Sequence, residues 1–154
     1  MNSKATNYSS VITIPNTNAL LEFSNQLIPH ISTPLIIGLN GPMGSGKTTF
    51  VRHFGKAIGS DDWINSPTYA IIQKYQAPTI DIVHIDLYRT TSEPEIDYLN
   101  IPDLINKSSL VFIEWIEKTT LLQPDITFSF SITKTDQRQI HLSSNTYQWI
   151  EQIK

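Results

Sequence analysis

Nine consecutive residues, Gly41-Pro42-Met43-Gly44-Ser45-Gly46-Lys47-Thr48-Thr49, have the types and spacing of a loop that wraps a phosphate. Gly41, Gly44 and Gly46 let the backbone turn its N–H groups inward around an anion. Lys47 can reach the outer phosphates of a nucleotide, and the Thr48 hydroxyl suits a magnesium ion. The nucleotide-holding set expected from the loop is therefore Gly41, Met43, Gly44, Ser45, Gly46, Lys47, Thr48 and Thr49. Triphosphate chemistry needs more: the metal must be oriented and a water or hydroxyl aimed at the terminal phosphorus. Asp86 and Glu114 each end an apolar run, at the strand edge where open α/β sheets bind ligands. Either acid alone reads equally well as an exposed strand exit; beside the loop, the pair reads as the hydrolytic set. Thr48, Asp86 and Glu114 are the expected metal ligands, and Lys47, Asp86 and Glu114 the expected catalytic groups, with Thr68 joining them only if it is the phosphate-sensing threonine of a triphosphate switch. Ser66-Pro67-Thr68 stands where triphosphate switches carry a phosphate-sensing threonine, although spacing alone fits an ordinary turn equally well. His84 lies two residues before Asp86 on the same strand and so on the same side, with a buried core histidine as its plainer reading. Arg89 can reach phosphate or pair with a surface carboxylate. Trp115 can pack near the nucleotide or in the core.

The elements around these residues agree with that chemistry. Leu35 to Leu39 is an apolar strand feeding the loop, and Phe50, Val51, Phe54, Ala57 and Ile58 recur at helical spacing after it until Gly59. A strand over Val11–Ile14 and a helix over Asn16–Ile28, capped by Asn16 or Thr17, precede them. Further strands are expected over Tyr69–Tyr75, Ile80–Ile85 and Leu110–Ile113, with a helix over Glu93–Leu99 stopped by Asn100. Near-continuous apolar strands separated by helices indicate a mostly parallel sheet covered on both faces. Ile126–Ile132 alternates instead and can pair with Gln139–Leu142 as a hairpin. The first few polar residues read as a loose terminus. The fold expected over 1–154 is a single α/β P-loop NTPase domain with a central mostly parallel sheet, flanking helices and a C-terminal antiparallel hairpin.

Composition narrows the function. The formal net charge is -3, with 11 basic residues scattered along the chain, so nothing resembles the basic face of a protein that grips nucleic acid unaided. Any RNA would be held by a partner. Cysteine is absent, the four histidines have no zinc-like spacing, and no secretory leader or spanning apolar run is seen. The expected location is cytoplasmic.

Several stretches together resemble one family. Gly41–Thr49 with Phe50 and Arg52, Ser66-Pro67-Thr68-Tyr69 with Tyr75, His84-Ile85-Asp86-Leu87-Tyr88-Arg89, and Phe112-Ile113-Glu114-Trp115 are similar, in order and spacing, to TsaE. TsaE is the small ATPase subunit of the bacterial machinery that makes threonylcarbamoyladenosine in tRNA. Pro42, Ser45, Asn100, Ile116 and Lys118 stand where that family usually has aspartate, alanine, glycine, proline and arginine, and none of them touches the hydrolytic set. The resemblance implies ATP and Mg2+ as cofactors. It also implies slow hydrolysis in isolation, and action through TsaD-like and TsaB-like partners on adenosine 37 of tRNAs reading codons that begin with A. In it Lys47 and the loop amides hold the phosphates and Thr48 is the direct magnesium ligand. Asp86 and Glu114 complete the metal shell or position water, and Thr68 reports the terminal phosphate.

Two rival classes fit less well. A small-molecule kinase usually closes an arginine-rich lid, whereas this chain has only Arg52, Arg89 and Arg138 and no long insertion. A guanine-selective switch carries Asn-Lys-x-Asp, but Asn106-Lys107 is followed by Ser108-Ser109.

Overall fold

The computed structural model describes residues 7–62, 64–107 and 109–154; the loose terminus expected from sequence falls on 1–6, outside the described residues. The elements run β1 (Tyr8–Ile14), α1 (Thr17–Leu27), β2 (Leu35–Asn40), α2 (Lys47–Ala57), β3 (Ile72–Tyr75), β4 (Asp81–Asp86), α3 (Glu93–Tyr98), β5 (Ser109–Glu114), β6 (Ile126–Ile132) and β7 (Arg138–Ser144). One seven-stranded sheet carries them in the order β1-β7-β6-β2-β5-β4-β3.

The parallel character expected of the sheet belongs to its centre alone. β6, β2, β5 and β4 pair in parallel, whereas β1 with β7, β7 with β6, and β4 with β3 are antiparallel. The sheet is therefore mixed. The parallel strands are the ones fed by long connections, and the antiparallel additions come from hairpins and from the polar first strand. The β6–β7 hairpin forms as expected, with Phe128 opposite Leu142 and Phe130 opposite Ile140. Strand β1 extends further back than its apolar residues suggested, because Tyr8, Ser9 and Ser10 join by backbone pairing to Ser144, Ser143 and Leu142. The strand expected from Tyr69 is shortened to Ile72–Tyr75: Thr68–Ala70 form a turn, and Ile71 takes φ 65°, which a strand cannot continue through.

Alternation along the central strands divides the core in two. Leu35, Ile37, Leu39, Ile82, Leu110 and Phe112 face α1 and α2. Ile36, Val83, Ile85, Val111 and Ile113 face the side covered by Ile96, Ile101 and Ile116. Both faces are covered, as expected. The first face holds the aromatic centre: Phe50 of α2 lies 5.5 Å from Phe23 and from Phe128, and meets Phe112 edge-on at 5.7 Å. Offset and edge-to-face contacts of this kind stabilise beyond the area they bury. Because Phe50 lies one turn after Lys47, this packing also fixes the start of the helix on which the loop ends. Asn16 caps α1, its Oδ1 accepting the Ala19 N–H at 3.0 Å. Asn100 takes the left-handed conformation expected of a helix stop, φ 48°.

Candidate functional site

The parallel strands set the site by register. Glu114 pairs with Leu39 on one side and Asp86 on the other, so the two carboxylates stand side by side at the edge where β2 releases the glycine loop. Odd and even residues alternate between faces, so Asp86, Glu114 and His84 point to the α2 side. The loop is locked against the sheet at Gly41, which has φ 134°; a Cβ there would stand 2.5 Å from the Phe130 carbonyl oxygen. Gly46, at φ 104°, makes the left-handed turn that starts α2.

These elements enclose a cleft of about 340 Å³ lined by Met43, Gly44, Gly46, Lys47, Thr48, Thr49, Ser66, Thr68, Asp86, Tyr88, Glu114 and Trp115. Most of the groups singled out by sequence meet here, including Lys47, Asp86, Glu114 and Thr68. Gly41 and Ser45 shape the loop behind it. Met43 lines the cleft at its rim, 65% accessible.

The side chains of Lys47, Thr48, Ser66, Thr68, Asp86 and Glu114 are each held by a protein partner. Thr48 Oγ1 donates to Glu114 Oε1 at 2.7 Å. Asp86 Oδ2 accepts the Thr68 hydroxyl at 2.6 Å and the Ser66 hydroxyl at 3.2 Å, while its Oδ1 accepts the Tyr88 N–H at 2.9 Å. Ser66 and Thr68 also bond to each other. Lys47 Nζ donates to the Gly41 and Pro42 carbonyls at 2.7 and 3.0 Å and sits 4.3 Å from the centre of the Trp115 ring. Burial pushes the Lys47 ammonium below the ordinary lysine value, and Glu114, Glu117 and Asp86 pull it partly back. A desolvated ammonium over an aromatic face is poised to gain from an arriving polyanion.

Two non-glycine residues beside the cleft take left-handed backbone, Ile71 at φ 65° and Trp115 at φ 60°. Such geometry costs free energy in bulky residues and persists where the surroundings enforce it. Asp86 N–H donates to the Ile71 carbonyl and Trp115 N–H to the Leu39 carbonyl, both at 2.9 Å. Each strained residue thus braces a functional strand.

The donor set fits magnesium. Thr48, Asp86 and Glu114 offer hydroxyl and carboxylate oxygens, the hard ligands this ion prefers. Among the described residues no group of three or more His, Cys, Asp or Glu forms a ready cage. Magnesium does not need one, because it completes its shell from phosphate and water.

A second cleft of about 300 Å³ lies on the other side of the loop, sharing Gly44, Gly46 and Thr49 with the first. Ile14, Leu20 and Ile140 supply apolar walls, and Asn16, Thr17, Asp136 and Arg138 its polar rim. Arg138 donates to the Asp136 carbonyl at 2.7 Å and reaches the Gly44 carbonyl at a long 3.4 Å.

Known proteins resemble this chain in sequence and in fold. A family model described as "Threonylcarbamoyl adenosine biosynthesis protein TsaE" matches residues 14–140. The chain belongs to the TsaE family. The tRNA threonylcarbamoyladenosine biosynthesis protein TsaE of Haemophilus influenzae is 32% identical over 139 residues, covering 86% of this chain and 88% of that one. That of Rickettsia typhi is 35% identical over 115 residues, covering 73% and 79%. Among solved structures, the crystal structure of Bacillus subtilis YdiB superposes with a TM-score of 0.73 over 94% of this chain and 93% of that one, at 18% identity, which speaks to fold alone.

Some parts of the site were not legible beforehand. Ser66 and Tyr88 hold Asp86, but their chain positions carry no spacing rule that shows it. Arg138 comes from the hairpin, 94 residues from Gly44 in sequence. Arg89 lies over the Tyr69 ring, 5.0 Å from its centre.

Proposed function

We propose that this TsaE-family chain binds ATP with magnesium across the two clefts and hydrolyses it. In that role it serves as the ATPase subunit for threonylcarbamoyladenosine formation at adenosine 37 of tRNAs reading codons that begin with A. The observation that carries the reading is the convergence of the glycine loop, Lys47 and Thr48 with Asp86, Glu114 and Thr68 in one cleft. The carboxylates and Thr68 mark where the terminal phosphate belongs. The nucleoside then lies on the opposite side of the shared loop residues, among Ile14, Leu20, Ile140 and Arg138. Lys47 and the loop N–H groups hold the phosphates. Bound magnesium would neutralise charge developing on the transferred phosphoryl group, with Thr48, Asp86 and Glu114 holding it. Asp86 or Glu114 orients the attacking water.

Thr68 ties the terminal phosphate to the Ser66–Ile71 segment, which gives the nucleotide a lever on docking. TsaD-like and TsaB-like proteins are the partners of this reading, and they hold the tRNA, consistent with a net charge of -3 on this chain. Among the described residues no helix is long and apolar enough to cross a membrane; the cytoplasm is the compartment where the proposed substrate tRNA resides. The test is a titration with a TsaD–TsaB pair in two nucleotide states. Distinct dissociation constants for ATP-analogue and ADP forms are expected, narrowed by Thr68→Ala, because a nucleotide biases docking only by its differential affinity. Equal constants together with tight, salt-resistant tRNA binding by the chain alone would overturn it.

A further inference from the structure

His84 is fully buried, and its Nε2 lies 2.9 Å from Glu114 Oε1, whose side chain is itself only 4% accessible. A carboxylate offers lone pairs only, so the ring nitrogen facing it carries the proton and donates. The other ring nitrogen, Nδ1, is buried without a hydrogen-bond partner. An unpaired buried nitrogen costs stability, and an apolar ring of the same shape would avoid that cost. Core packing alone does not account for a histidine here.

Glu114 supplies the account. Its Oε1 accepts two bonds, from Thr48 and from His84. Once Thr48 gives its oxygen to a metal ion, as the ATPase reading requires, the placement of its hydroxyl toward Glu114 follows the nucleotide complex. The bond from His84 on β4 is the contact to Oε1 that does not depend on that complex. We infer that His84 is a positioning residue that holds the Glu114 carboxylate in its working orientation when Thr48 is engaged by the nucleotide complex. The inference rests on the ATPase reading and adds a residue to it. The imidazole is fully buried and does not line the cleft; it acts through Glu114, across neighbouring strands whose register places His84 opposite Phe112, two residues short of the Asp86–Glu114 pair. Outer hydrogen-bond partners of this kind typically matter about 10- to 100-fold in activity.

The experiment compares the full-length wild type with His84→Phe, His84→Gln and His84→Met, in the presence of the partner proteins, by ATP turnover, ATP affinity and thermal midpoint. His84→Phe removes the unpaired Nδ1 but also one donor to Glu114, two effects of opposite sign, so the thermal midpoint should shift little and ATP affinity should stay within about twofold, while turnover falls about 10- to 100-fold. His84→Gln, which keeps a donor at the same reach, should recover most of the turnover; His84→Met should not. On a Glu114→Gln background, His84→Phe should cost nothing further, because both changes remove the same function. Wild-type turnover in His84→Phe overturns the inference alone. If His84→Phe does not fold, equal turnover in the Gln and Met variants overturns it. A wild-type chain that hydrolyses no ATP with its partners sinks the ATPase reading, and this inference with it.

Discussion

The two clefts flanking the glycine loop are built on different plans. The first is walled by the ends of parallel strands, and its polar atoms satisfy one another: Thr48 with Glu114, Thr68 and Ser66 with Asp86, Lys47 with two carbonyls. The second is walled by α1 and the antiparallel hairpin, largely apolar, with Arg138 held by Asp136 and loosely by Gly44. A closed polar network in a partly dry site is rigid and costly to disturb. An apolar slot with a charged rim recognises without holding tightly. On the proposed function the difference separates chemistry from recognition, and mutations on the two sides should split accordingly.

The largest effect should come from Lys47, which on the proposed reading serves the phosphates shared by both clefts. Lys47→Ala should weaken ATP binding by about 100-fold or more, since several charge-assisted bonds go together. Calorimetric titration reads this directly, and unchanged affinity would mean that the loop does not hold phosphate. Burial already lowers the Lys47 pKa. The ammonium is therefore lost earlier than in an ordinary lysine as pH rises, and ATP affinity should fall with it on the alkaline side.

Next come the carboxylates. Asp86→Ala and Glu114→Ala should each cut partner-supported turnover by roughly 100- to 1000-fold, the range for losing one preorganised electrostatic group. ATP affinity should change only a few-fold if, as proposed, the loop supplies most anion contacts. Wild-type turnover in either variant would remove that residue from the hydrolytic set.

Across the loop the pattern should reverse. Arg138→Ala should weaken ATP affinity by about 5- to 10-fold, the loss of one partly exposed polar contact, while leaving turnover at saturation near wild type. Should turnover collapse with affinity intact, Arg138 would belong to the chemistry and the separation of the clefts would fail.

The same contrast marks what the sequence could disclose. The loop, α2, β4 and β5 were legible because glycine spacing and unbroken apolar runs are local signals, and Asp86 and Glu114 followed as the residues ending those runs. The placement of β6 against β2 was not, since nothing local to Ile126–Ile132 names a parallel neighbour. It is that pairing which sets Phe130 against Gly41 and carries Arg138 to the loop. The left-handed turns at Ile71 and Trp115 were equally hidden, because β-branched and aromatic residues ordinarily argue against such backbone. His84 was placed on the correct side of β4 by alternation alone, yet its bond to Glu114 depends on a strand 30 residues away.

The smallest effect should fall on Asn16, and it tests whether the second cleft has a structural floor distinct from its ligand contacts. Asn16 lines that cleft and also caps α1 through the Ala19 N–H. Asn16→Ala, which removes this cap, should cost about 1 kcal/mol, which for a domain of this size lowers the thermal midpoint by roughly 2–4 °C. Leu20, Phe23 and Leu27 keep α1 seated on the core, so the helix should fray at its first turn and stay in place. Asn16→Asp retains an oxygen that accepts the Ala19 N–H and should restore the midpoint, yet it puts a carboxylate beside the loop that receives the phosphates. In the Asp variant ATP affinity should therefore fall while stability returns, and the fall should shrink as added salt screens the new charge. A parallel loss of stability and affinity in both variants would show that Asn16 acts only through the helix, and the second cleft would lose its claim to contact the nucleotide at that end.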